Sequence, residues 1–156
     1  MTIRFAERRD IPGMIELLKQ VGQVHHEIRP DLFRDGAQKY SHSDLEELLT
    51  DPSRPILIAD MDGQVAGYCF CILQVTEGSP VLCDRKVLYI DDLCVDEGKR
   101  GTGIATALYG RTLEFAKALG CQAVTLNVWC GNDSAMGFYE KCGMKPQKIG
   151  METILC

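Results

Sequence analysis

Apolar positions along the chain change their spacing twice, dividing it into a helical first third, a strand-rich middle, and an alternation of helix and strand at the end. Residues 3–6 alternate weakly, as in a short strand. Asp10-Ile11-Pro12-Gly13 then supplies an N-cap carboxylate and a proline suited to a first turn. Ile11, Ile15, Leu18 and Val21 recur every three to four residues, which predicts a helix with one buried face, ending before Arg29-Pro30. Residues 30–42 read as loop. Ser43-Asp44-Leu45-Glu46 has the form of a capping box and predicts a short helix carrying Leu45, Leu48 and Leu49, closed by Asp51-Pro52.

From residue 55 the period shortens to two. Pro55-Ile56-Leu57-Ile58-Ala59-Asp60 and residues 65–75 flank Asp62-Gly63, which predicts a β-hairpin, and residues 86–95 make a third long strand after the turn at Gly78-Ser79-Pro80. Residues 98–103 form a glycine-rich loop. Ile104, Leu108, Phe115 and Leu119 then lie within about 60° of one another at helical pitch, and Gly120 is placed to terminate that helix. A strand over 121–129, a helix capped by Asn132-Asp133-Ser134 and stopped at Gly143, and a last strand over 145–155 broken by Pro146 and Gly150 complete the chain. The order β-α-α-β-β-β-α-β-α-β predicts an α/β (α+β) fold with a mixed, mostly antiparallel central sheet flanked by helices.

Composition narrows the possibilities. With 156 residues, 46% of them hydrophobic and 25% charged, the chain is expected to form one globular domain over 1–156. The net charge of −5 is spread along the chain, so nucleic acid and anionic membrane are not expected partners. No apolar run approaches the ~18 residues of a membrane span. Eight cysteines interrupt apolar runs, as at Tyr68-Cys69-Phe70-Cys71-Ile72, and no Cys-x-x-Cys occurs. Buried free thiols in a reduced, cytoplasmic protein are the expectation, with no metal site. His25-His26-Glu27 lacks the His-Glu-x-x-His spacing, because Arg29 and Pro30 follow.

The sharpest local feature is Arg100-Gly101-Thr102-Gly103-Ile104-Ala105, placed between a strand and a helix. Free N–H groups at a helix start attract anions, glycine admits a phosphate closely, and Lys99 and Arg100 add positive charge. A tight turn without a ligand would use the same glycines. A P-loop would need Ser or Thr after Gly98-Lys99, where Arg100 stands. A dinucleotide fingerprint would need a small third residue where Thr106 stands and an acidic residue about 20 positions on, which is missing. Arg-x-x-Gly-x-Ala remains.

That hexapeptide, preceded by Leu93-Cys94-Val95-Asp96, resembles the acetyl-CoA pyrophosphate motif of the GNAT superfamily of N-acetyltransferases. The segment Asn132-Asp133-Ser134-Ala135-Met136-Gly137-Phe138-Tyr139-Glu140-Lys141-Cys142-Gly143-Met144 is similar to that superfamily's Asn-x-x-Ala-x-x-Phe-Tyr-x-x-x-Gly-Phe, with Met144 replacing the final aromatic. The two motifs cover roughly residues 87–145. The resemblance implies acetyl transfer from acetyl-CoA, as co-substrate, to a primary amine by direct attack in a ternary complex. It implies that Arg100, Gly101, Thr102, Gly103, Ile104 and Ala105 hold the pyrophosphate. Leu93, Cys94 and Val95 would pair with the pantetheine arm in the manner of an added strand. Asp91 or Asp92 would take the ammonium proton, with motif alignment favouring Asp91 and strand alternation directing only one of them at the acceptor. Tyr139 would protonate the departing thiolate, although Ala135, Phe138, Tyr139 and Cys142 share a helical face that would also suit core packing. Asn132 fits a helix cap and a CoA contact equally. The negative charge leads us to expect a cationic acceptor, and a homodimer is compatible with the resemblance. The alternative is a CoA-binding regulatory or interaction module that keeps the fold without catalysis.

Overall fold

The computed structural model describes residues 1–156. Five strands form one sheet in chain order. β1 (Thr2–Phe5), β2 (Ile56–Met61), β3 (Gln64–Thr76) and β4 (Arg85–Val95) pair antiparallel, and β5 (Ala123–Leu126) joins β4 in parallel. Helices α1 (Ile11–Ile28) and α2 (His42–Leu48) connect β1 to β2, α3 (Ile104–Ala118) carries the crossover from β4 to β5, and α4 (Asp133–Lys141) follows β5. The mixed α/β, mostly antiparallel sheet is the one its periodicities predict.

The sheet separates two apolar layers. Ile11, Met14, Leu17 and Leu18 of α1 and Leu45 of α2 bury against Ile56, Ile58, Tyr68 and Phe70 on one face. Ile104, Leu108, Tyr109 and Ala116 of α3 bury against Leu57, Cys69, Cys71, Leu88 and Ile90 on the other. The hairpin at Asp62-Gly63 has φ of 53° and 83°, the left-handed pair that a two-residue turn of this kind requires.

Several expectations are corrected. The capping box begins at Ser41: its hydroxyl accepts from the Asp44 N–H at 3.1 Å, and the Asp44 carboxylate accepts from the Ser41 N–H at 2.8 Å. Asp44, three residues on, closes the box with the shorter acidic side chain. β5 covers four residues instead of 121–129. Residues 145–155 form no strand; Pro146 lacks an N–H and no neighbouring strand of the chain accepts the rest.

Two features of β4 set the geometry around its C-terminal half. Its pairing with β5 ends at Ile90–Leu126, while β4 runs on to Val95, so the β5-side backbone of residues 91–95 has no strand beside it. Against β3, Phe70 pairs with Asp92 and Cys71 with Ile90, which leaves Asp91 as the extra residue of a β-bulge.

Candidate active site

The bulge decides where the two carboxylates go. Strict alternation would send them to opposite faces, yet both are held by side chains of the α1–α2 layer. The Asp91 carboxylate accepts a 2.7 Å hydrogen bond from the Tyr40 hydroxyl and lies 2.9 Å from Lys39 Nζ, and Arg54 donates to that same hydroxyl at 2.8 Å. Tyr40 and Arg54 thereby fix Asp91 in a network of opposite charge and phenol. The partly buried Asp92 accepts one bond, 2.6 Å, from the hydroxyl of fully buried Tyr68. Removal from water outweighs that bond and the pull of Lys39 and, with the neighbouring Asp91 charge, lifts the Asp92 carboxyl to about 6. One carboxylate is thus neutralised by cations. Its neighbour is poised to exchange a proton near neutral pH.

Tyr139 of α4 packs against the α3 side of the sheet. Its ring packs on Phe138 and Tyr109, with centroids 5.1 and 6.3 Å away. Burial raises its phenol well above the usual tyrosine range, and negative charge at Cys69 and Asp92 would add to the rise, so the phenol keeps its proton at neutral pH. Sequence spacing left open whether Tyr139 is core or site. The side chain is half-buried, on a helix that has no fully buried residue.

The glycine loop leaves open space in front of the start of α3. Gly101 and Gly103 have φ of 77° and 83°, and a Cβ at either position would meet no atom within 4 Å. The glycines therefore serve conformation and leave the space in front of the loop open. Gly103 is the N-cap of α3, Ile104 is buried beneath the first turn, and Ala105 follows it, half-buried. Thr102 donates its hydroxyl to the Lys99 carbonyl at 2.6 Å, closing the turn. Gln20 of α1 pins the preceding segment, donating to Asp96 at 3.2 Å and accepting from the Glu97 N–H at 3.0 Å. Lys99 is committed to Asp96 at 3.1 Å. Exposed Arg100 is thus the cation the loop has left to offer a phosphate.

Leu93 and Val95 turn their side chains to the α3 layer and Cys94 to the α1 layer, so the unpaired backbone of this stretch forms the floor between the glycine loop and Asp92. Burial pushes the Cys94 thiol up to about 12, and its Sγ approaches the Leu17 carbonyl at 3.7 Å. It stays a thiol and packs. Asn132 caps α4, its side-chain oxygen accepting from the Ala135 N–H at 3.2 Å.

Sequence reasoning missed the residues that hold the carboxylates: Tyr40, Tyr68, Lys39 and Arg54 come from a loop, β3 and the turn before β2. Two tyrosines opposite paired aspartates in the folded sheet leave no local pattern. It also missed an aromatic cluster that joins the end of α1 and the loop after it to the segment following β5. Phe33 lies 5.0 Å from His25 and 5.4 Å from Trp129, and Arg29 stands 6.0 Å over the Trp129 ring.

A model of the family described as "Acetyltransferase (GNAT) family" matches residues 21–144. The chain belongs to the GNAT family. Among its relatives, an uncharacterised N-acetyltransferase of Mycobacterium tuberculosis is 36% identical over 99 residues, 64% of this chain and 58% of that protein. The chain thus spans less than two thirds of the length of the first curated relatives it matches. A crystal structure of the BH1408 protein from Bacillus halodurans superposes with a TM-score of 0.95 at 32% identity, covering all of both chains. The aminoglycoside N-acetyltransferase AAC(6')-Iy, solved in complex with CoA, shares the fold at a TM-score of 0.72 and 17% identity, over 99% of this chain and 100% of that one.

Proposed function

We propose that this GNAT chain transfers the acetyl group of acetyl-CoA to a primary amine by direct attack, without an acyl-enzyme. The observation that carries the reading is the stretch of β4 beyond Ile90 that β5 leaves unpaired, which includes Asp92 and leads at its end into the glycine loop and α3. The loop amides of residues 101–105 and Arg100 bind the pyrophosphate, and the free β4 backbone at 93–95 aligns the pantetheine amides. Asp92, ionised above its raised pKa, accepts the proton of the incoming ammonium, directly or through a water. The freed amine forms the new C–N bond, the C–S bond breaks, Tyr139 gives its proton to the departing sulfur, and the tyrosinate so formed takes up, directly or through a water, the proton that the new amide nitrogen sheds. Asp91, tied to Lys39 and Tyr40, holds the bulge that aims Asp92. Cys94, protonated and turned into the α1 layer, is no nucleophile.

The acceptor in this reading is cationic, suiting a chain of net charge −5. Eight free thiols suit a reducing, cytoplasmic setting. The test is release of free thiol from acetyl-CoA across a panel of polyamines, amino sugars and peptides. Amine-dependent release supports the reading. Tight CoA binding by calorimetry with no amine-dependent release would make the chain a CoA-binding module instead.

A further inference from the structure

Of the chain's eight lysines, Lys39 is the one that an ion pair joins to the carboxylates of β4. Its Nζ lies 2.9 Å from the Asp91 carboxylate, and its charge acts on Asp92 as well. Both aspartates belong to the stretch of β4 that β5 leaves unpaired. Other lysines are spent elsewhere: Lys19 and Lys99 pair with acids of their own segments, Glu16 and Asp96, and Lys86 donates to the Leu119 carbonyl from the far end of β4. The Lys39 side chain is 47% exposed, so a reagent arriving from solvent can reach its amine.

The loop that carries Lys39 is held at three points. His26 Nδ1 of α1 lies 2.7 Å from the Phe33 carbonyl oxygen. A Cβ on Gly22 would run into the Ala37 carbonyl, so glycine lets the loop lie directly against α1. Beyond Lys39, the Tyr40 hydroxyl donates to Asp91 at 2.7 Å, and the Tyr40 ring packs on Phe70 with centroids 5.6 Å apart. The amine therefore hangs from a fixed backbone on a flexible four-carbon stem. An ion pair this exposed holds it weakly and lets the stem swing. A tethered amine also meets a neighbouring thioester without the loss of freedom that a free amine suffers on binding.

We propose that Lys39 is a self-acetylation site: with acetyl-CoA bound and no acceptor present, the chain transfers an acetyl group to its own Lys39 Nζ. The inference rests on the N-acetyltransferase reading above. The ε-ammonium gives one proton to the Asp92 carboxylate, and the freed nitrogen bonds to the thioester carbonyl carbon. The C–S bond breaks, Tyr139 protonates the sulfur, and the second proton shed by the new amide nitrogen returns to Tyr139. The products are N-acetyl-lysine, free CoA and the proton that Asp92 passes to solvent. The acetylated side chain carries no charge, so Asp91 loses its closest cation and keeps the Tyr40 hydroxyl and, at 3.9 Å, Arg54.

The test incubates the full chain with isotopically labelled acetyl-CoA, without an acceptor, and follows the label by intact-mass and peptide mass spectrometry. Wild type is compared with Asp92→Asn and with Lys39→Arg, which keeps a cation beside Asp91 but offers no amine to acetylate. The proposal expects Lys39 to be labelled at least about tenfold faster than exposed Lys117 and Lys148, at a rate per chain that dilution of the protein leaves unchanged. Asp92→Asn should slow the Lys39 label at least about tenfold and leave the other lysines as they were, and Lys39→Arg should remove the fast phase of mass gain. Label spread evenly over the exposed lysines, a Lys39 rate that falls on dilution, or one indifferent to Asp92→Asn overturns it. The same preparation is assayed with external amines. Transfer to an external amine while Lys39 stays unlabelled overturns self-acetylation and leaves the N-acetyltransferase reading standing, whereas transfer to neither overturns both.

Discussion

Asp92 and Asp91 are adjacent in sequence and differ in what surrounds them, and the difference has measurable consequences. Asp92 ionises near pH 6, so acetyl transfer should lose activity below that value as the carboxylate takes up its proton. Asp92→Asn is expected to lower kcat/KM by roughly 10²-fold and to abolish that acidic limb in a pH–rate profile from 5 to 9. Its effect on stability has the opposite sense. The folded carboxyl sits above its ordinary value of 3.8, so the stability tied to the protonated form is present below pH 4 and lost as pH rises through 6. Thermal denaturation of Asp92→Asn should therefore show a gain of up to about 3 kcal/mol at pH 7.5 and almost none at pH 3.5. Tyr139→Phe should reduce kcat more than tenfold while the Kd for CoA moves less than threefold, since the phenol is asked to act on the leaving sulfur alone; rapid-quench kinetics and calorimetry read the two separately.

At the scale of the element, the crossover helix is placed by one missing side chain. A Cβ on Gly67 of β3 would stand 3.0 Å from both the Cys94 carbonyl and Leu108 and 3.2 Å from Ile104, so glycine is what lets the first turns of α3 close on the sheet. Gly67→Ala should push the N-terminus of α3 outward by several tenths of an ångström, costing about 1–3 kcal/mol and weakening CoA binding more than it affects bound-state chemistry; calorimetric titration beside a melting curve checks both. Elements such as α1, α3 and the Asp62-Gly63 hairpin were legible because spacing or turn chemistry inside one segment suffices to specify them. The anion loop was legible for the same reason. The bulge at Asp91 was not, because it depends on which β3 residue faces which β4 residue, a relation between segments about 20 residues apart. Residues 145–155 look like a strand and have the composition of one, but a strand exists only where an edge receives it.

Charge is a property of the whole molecule, and the structure shows how locally it is spent. Lys99 is taken by Asp96, Lys39 by Asp91 and Arg29 by Asp31 and Glu152, so many of the cations near the site are already paired with carboxylates. In the proposed reading Arg100 remains for the pyrophosphate, while the excess of carboxylates that gives −5 acts on whatever approaches from solvent. A polycationic acceptor should therefore gain in encounter from the field of the protein, and acetyl-CoA should gain from one arginine and the dipole of α3. The Debye length falls from about 20 Å at 20 mM salt to about 6 Å at 300 mM, which removes the first effect and leaves most of the second, since the loop acts at contact distance. Between those salt concentrations kcat/KM for a triamine should fall several-fold, for a monoamine less than twofold, and KM for acetyl-CoA should change little. Steady-state kinetics at the two ionic strengths give all three numbers, and equal losses for both amines would locate acceptor recognition in contacts within the cleft instead of in the field of the molecule.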